Sequence, residues 1–144
     1  MKIPTRSDWG VIEKNNLDAE CAFRQFSGKS LNEAEMMFRN NALYYQEDLI
    51  SMPPVAFNFY APAFARYILS DNAEADSDGA SSFLHMVLEL LQSNRSLTTT
   101  KTEKMLLASA QIVASKQEFY AADTDIYGDF SELYKQIMRL TART

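Results

Sequence analysis

A chain of 144 residues with 47% hydrophobic and 12% aromatic side chains and only 4 glycines and 4 prolines has the composition of one globular domain, and neither a fibrous nor a disordered class fits it. Its 19 acidic residues against 14 basic ones give a formal charge of -5, a field that repels phosphate backbones and anionic lipid and argues against a nucleic-acid partner. Cys21 is the single cysteine, which excludes an intramolecular disulfide and a thiolate cluster for zinc; with an amino terminus that lacks the apolar core of a signal peptide, this points to the cytoplasm.

Trp9, Val11 and Ile12 form a short apolar group near the start, and Asn16 is placed to cap a helix over Leu17 to Phe26 that stops before Gly28. Ser30-Leu31-Asn32-Glu33 has the spacing of a capping box, in which the hydroxyl accepts from the third amide and the carboxylate reaches back to the first. The helix that follows keeps Leu31, Ala34, Met37, Phe38, Leu43, Tyr44 and Leu49 at helical spacing up to Met52, with Asn40-Asn41 as its weak point. Pro53-Pro54 ends it, and the same dipeptide can open the next helix, because proline is tolerated in a first turn.

In that next helix Phe57, Tyr60, Phe64 and Tyr67 recur at steps of three and four residues and stack four rings on one face, which predicts the centre of the core. Pro62 is expected to kink or divide it, and Ala56, Ala61, Ala63 and Ala65 leave room for close helix approach. The run Leu49 to Ala65 is free of charge, but it is slightly short for a membrane span and is broken by Pro53, Pro54 and Pro62, so no membrane crossing is expected.

Ser70 to Gly79 carries Asp71, Glu74, Asp76 and Asp78 without a cation and reads as an exposed acidic loop, with Asp78 capping a helix whose stripe is Phe83, Met86, Val87, Leu90 and Leu91. Thr100 to Glu103 repeats the capping-box spacing ahead of Met105, Ala108, Ile112 and Phe119, joined by Leu106, Val113 and Tyr120, which predicts a helix to about Ala122. Asp123 to Gly128 is a turn, and Leu133, Ile137 and Leu140, with Tyr134 and Met138, define a last helix. The sum is an all-α, single-domain helical bundle over residues 1–144, with about five to seven helices and no internal repeat.

Chemistry-bearing motifs fail one by one. Gly28-Lys29-Ser30 resembles the end of a phosphate loop, but Phe23 stands where the first glycine belongs. Glu74 to Gly79 matches the early positions of a calcium loop, yet His85 replaces the bidentate glutamate at the twelfth; Asp123 to Gly128 departs further, with Tyr127 and Tyr134 at ligand positions. His85 is the sole histidine, so a paired-histidine metal site is excluded, and neither Cys21 nor Ser81 or Ser82 has the signature of an activated nucleophile. Adjacent Glu47 and Asp48 could supply carboxylates, but they point about 100° apart on a helix and do not converge on one atom, and solvent exposure explains them equally well. Met36, Met37, Met52 and Met86 suit an adaptable groove, although helical spacing of such residues is mostly core.

The run Phe26 to Ser30, then Glu33-Ala34 and Phe38, then Asn41 to Leu49 (NALYYQEDL), Met52-Pro53-Pro54 and Phe57-Asn58-Phe59-Tyr60 resembles a family of small bacterial proteins of unknown function. The likeness spans Phe26 to Ser70 and implies a short helical bacterial protein, with no activity or functional residue to carry over. Some small acidic helical proteins of this general kind are immunity or antitoxin partners, a likeness of type and not of motif.

Missing chemistry and an acidic balance lead to the expectation of a non-enzymatic protein-interaction module with no cofactor and no metal. Its partner would be a protein, with a basic toxin domain as one fit, held through Glu47, Asp48, Glu74, Asp76 and Asp78. The alternative is a regulatory domain that binds a small molecule or an ion, with a pocket near Tyr60, Phe64 and His85. A second copy of the chain can cover an apolar helix face as readily as the chain itself, so a homo-oligomer is compatible with the sequence.

Overall fold

Side-chain caps set where the helices of this chain begin. In the computed structural model, which describes residues 2–142, Thr5 caps a single turn, α1 (Arg6–Trp9), and Asn16 Oδ1 accepts from Ala19 N at 3.1 Å to start α2 (Leu17–Phe26). Gly28 then takes φ +78°, a left-handed conformation that glycine adopts without Cβ strain, and the chain turns into the Ser30–Glu33 capping box and α3 (Leu31–Leu49). α3 breaks at Asn41 (φ -162°, ψ 84°), whose side chain accepts from Tyr44 N at 3.2 Å and so caps the second half afresh. Pro53 sits at the cap of α4 (Pro54–Ile68), which runs through Pro62 as one helix. The expected division at Pro62 does not occur.

After a 3-10 turn at Asp71–Ala73 come α5 (Ser77–Ser93), a second 3-10 turn at Arg95–Leu97, α6 (Thr100–Ala114), the single turn α7 (Thr124–Tyr127) and α8 (Phe130–Thr141). The described residues therefore form six helices of ten or more residues and no strand, an all-α bundle as the periodicity predicts. No helix among them is long and apolar enough to cross a membrane.

α4 lies at the centre, packed along α3 and touching α5 and α6, while α5 packs on α3, α6 and α8. All four rings of its predicted face are buried. Phe64 stacks on Phe38 of α3 (4.8 Å between centroids, 5° between planes) and meets Phe83 of α5 edge-on at 5.1 Å. Tyr60 packs on Phe26 at 5.2 Å, and its hydroxyl lies 2.7 Å from Phe26 O and 2.8 Å from Lys29 O, tying the end of α2 to the core; burial pushes this phenol up to about 12. The Tyr120 hydroxyl donates to Ile68 O at 2.6 Å and closes the far end of α4.

Four local expectations are corrected. α5 is capped by Asp76, which accepts from Gly79 N at 2.9 Å, two residues before the expected Asp78. Thr99, and not Thr100, caps α6, accepting from Thr102 N at 3.2 Å, and Glu103 is paired with Arg95 at 2.9 Å. α6 stops at Ala114 instead of about Ala122, and its buried stripe is Leu106, Ala110 and Val113, while Ile112 faces solvent. Phe119 and Tyr120 sit beyond it in a turn that leaves Ala121 at φ +54° and accepts, through Phe119 O, a 3.0 Å bond from the N–H of Ala75 at φ +65°. The Asp123–Gly128 turn encloses α7.

Candidate functional site

Polar residues recur on two helices at the steps that place them on one face. Asp18, Cys21 and Gln25 follow one another along α2, and Ser82, His85 and Glu89 along α5, each at three- or four-residue intervals. Glu47 and Asp48 end α3, where Pro53-Pro54 forces the chain to turn away. These faces, with Gln25 just behind, meet at a cleft of about 480 Å³ lined by Asp18 and Cys21 of α2, Tyr44, Glu47 and Asp48 of α3, and Ser82, His85 and Glu89 of α5.

Asp48 is the central group. It is only 7% exposed, which overturns the expectation that solvent exposure explains it, whereas Glu47 beside it is exposed. The Gln25 amide donates to Asp48 Oδ2 at 2.6 Å and sits 3.2 Å from Cys21 Sγ. Burial pushes the Asp48 carboxyl up from 3.8 to about 6; the Cys21 thiol donates to it and pulls the other way, while the charges of Glu47 and Asp18 push further up. Burial, reinforced by the Asp48 charge, raises the Cys21 thiol as well, so it is not an activated nucleophile. Four carboxylates thus line the cleft, and no lysine or arginine does. The one contact of a nucleophile with a carboxylate in the set, Cys21 to Asp48, raises the thiol instead of activating it, and among the described residues no group of three or more His, Cys, Asp or Glu side chains converges as a metal site.

The sequence-predicted residues fall into three places. Glu47, Asp48 and His85 come together in the cleft. Asp76 and Asp78 lie at the start of α5 and are already engaged: Asp76 Oδ2 accepts from the Tyr67 hydroxyl at 2.6 Å, and Asp78 accepts from the Tyr127 hydroxyl at 2.7 Å, while Glu74 is exposed beside them. Tyr60 and Phe64 are fully buried and His85 is exposed, so no open pocket is shared by these three and that grouping is corrected. Asp18, Gln25 and Glu89 are not singled out by the sequence, and Cys21 and Ser82 figure there only as nucleophiles to be dismissed, although the helical spacing of all five makes polar stripes on two otherwise amphipathic helices. No protein-family model, no curated protein and no solved structure matches this chain.

Proposed function

We propose that this chain is a non-enzymatic protein-binding module that receives a cationic side chain of a basic partner in the cleft at Asp48. The observation that carries this reading is Asp48 itself, a nearly buried carboxylate with an amide and a thiol for partners, in a cleft that no cation of its own chain lines. Such a group lowers the stability of the free fold above its titration range, and residues that cost stability without a structural return are most often kept for function. A guanidinium or ammonium from a partner would neutralise it and would be favoured on approach by Asp18, Glu47 and Glu89. An immunity or antitoxin role in the cytoplasm of a bacterium, against a basic toxin domain, is one activity of this kind, supported by the small size, helical fold and acidic balance.

The test is capture of a partner from native lysate with wild-type chain and with Asp48→Asn plus Glu89→Gln. A partner retained by wild type and lost with the variant, and released by salt, supports the reading; equal retention by both refutes it. Loss cannot be put down to misfolding if the variant melts no lower than wild type. The cleft volume of about 480 Å³ also falls in the range of small-molecule sites, so a small organic cation is the second reading, and a rise in melting temperature with such a compound would favour it.

A further inference from the structure

The cleft at Asp48 does not end at its own rim. Ser51 lines it and also lines a second cleft of about 240 Å³, bounded by Trp9, Val11 and Asn16 on one side and by Met52 and Pro53 on the other. Two large apolar side chains in these linings stand out in solvent, Val11, 92% exposed, in the second cleft and Tyr44, 52% exposed, in the first; Leu17, 71% exposed, lines neither but lies in the chain between Asn16 of one and Asp18 of the other. Single exposed apolar residues are ordinary, but a group of them around connected concavities marks an interaction surface. Behind this wall the Trp9 indole N–H, itself closed off from solvent, is the one buried side-chain polar atom without a hydrogen-bond partner among the described residues.

Charge decides what covers the surface. Glu13 adds a fifth carboxylate, and no lysine or arginine lines either cleft. We propose that the two clefts form one docking surface for a basic segment of a protein partner, which sets an arginine or lysine side chain in the first cleft and a neighbouring apolar side chain against Val11 in the second, with the exposed Leu17 nearby in the chain. This rests on the cation-receiving reading of the first cleft and adds an apolar half to it. The two halves do different work. Carboxylates govern the rate of encounter and its salt dependence, whereas desolvated apolar contacts govern residence time.

The experiment is selection of random displayed peptides on the intact chain at low salt, followed by titration of the synthesised winners. Trp9 is the only tryptophan and lines the second cleft, so its emission reports occupancy there. The expected result is a consensus that joins arginine or lysine to a large apolar residue, a change in Trp9 emission on binding, and affinity weakened about tenfold, through a faster off-rate, by Leu17→Ser with Val11→Ser. Ile112→Ser, at a residue 45% exposed on α6, should leave affinity unchanged. Basic peptides with no apolar preference, weakened by Asp48→Asn but not by the Leu17 and Val11 variants, would overturn the two-cleft surface and leave the cation-receiving cleft standing. Peptides without basic residues, peptides indifferent to Asp48→Asn, or no enrichment at all would overturn both.

Discussion

Replacing Asp48 by asparagine should make the protein more stable at neutral pH and leave it unchanged in acid. Asparagine keeps one oxygen for the Gln25 amide, now 2.6 Å from Asp48 Oδ2, removes the charge and turns the second oxygen into an amide donor, as the protonated acid does with its hydroxyl. Because burial raises the folded-state carboxyl from 3.8 to about 6, the native chain holds this proton more tightly than the unfolded one. Its favourable contribution is therefore complete below about pH 3.8 and is lost as pH rises through about 6. Fully shielded from solvent, that difference would amount to roughly 3 kcal/mol; Asp48 lines an open cleft, so a gain of about 1–2 kcal/mol for Asp48→Asn at pH 8 is expected. Glu33 and Asp129 are held below the usual carboxylate range by hydrogen bonds to Ser30 and Ser131, which tilts wild-type stability the opposite way. The informative quantity is accordingly the difference between variant and wild type, measured by urea unfolding at pH 4, 6 and 8. A difference that stays flat across that range, or a variant less stable at pH 8, would refute the reasoning.

Ala75 sits at φ +65°, so Ala75→Gly should relieve left-handed strain and raise stability by about 1 kcal/mol, read as a higher melting temperature. Gly79→Ala should do the reverse: a Cβ there runs into the Asp76 carboxylate, which caps α5 and accepts from Tyr67, so a loss of about 1–2 kcal/mol in urea unfolding is expected. Phe64→Ala empties the space between Phe38 and Phe83 and should cost about 3–5 kcal/mol, enough to threaten folding of a domain this size and visible as loss of cooperative melting.

Sequence was most readable where the determinant is local. The Ser30–Glu33 box, the Asn16 cap, the break at the Asn40-Asn41 pair and the start of α4 at Pro53-Pro54 each depend on residues within one turn, and all occur as read. Competition between local partners explains the misses: Asp76 and Asp78 are both competent caps, and Tyr67, which reaches Asp76 from α4, helps to decide between them. Glu103 has the spacing of a capping box with Thr100, but its carboxylate pairs instead with Arg95, brought close by a 3-10 turn, while Thr99 caps the helix. The cleft was legible only in fragments. The Glu47-Asp48 pair and His85 stand out singly in the sequence, but their meeting with Asp18, Cys21 and Glu89 depends on how α2, α3 and α5 pack, which no spacing within one helix encodes.

The most direct measurement is the carboxyl carbon NMR titration of Asp48 in the free protein and in rising concentrations of N-acetyl-arginine amide, with sodium chloride at matched ionic strength as control. A free-protein midpoint near 6 that falls as the guanidinium is added, and not with salt alone, is the expected result. A midpoint that arginine amide leaves unmoved would contradict a cation-receiving role for the cleft.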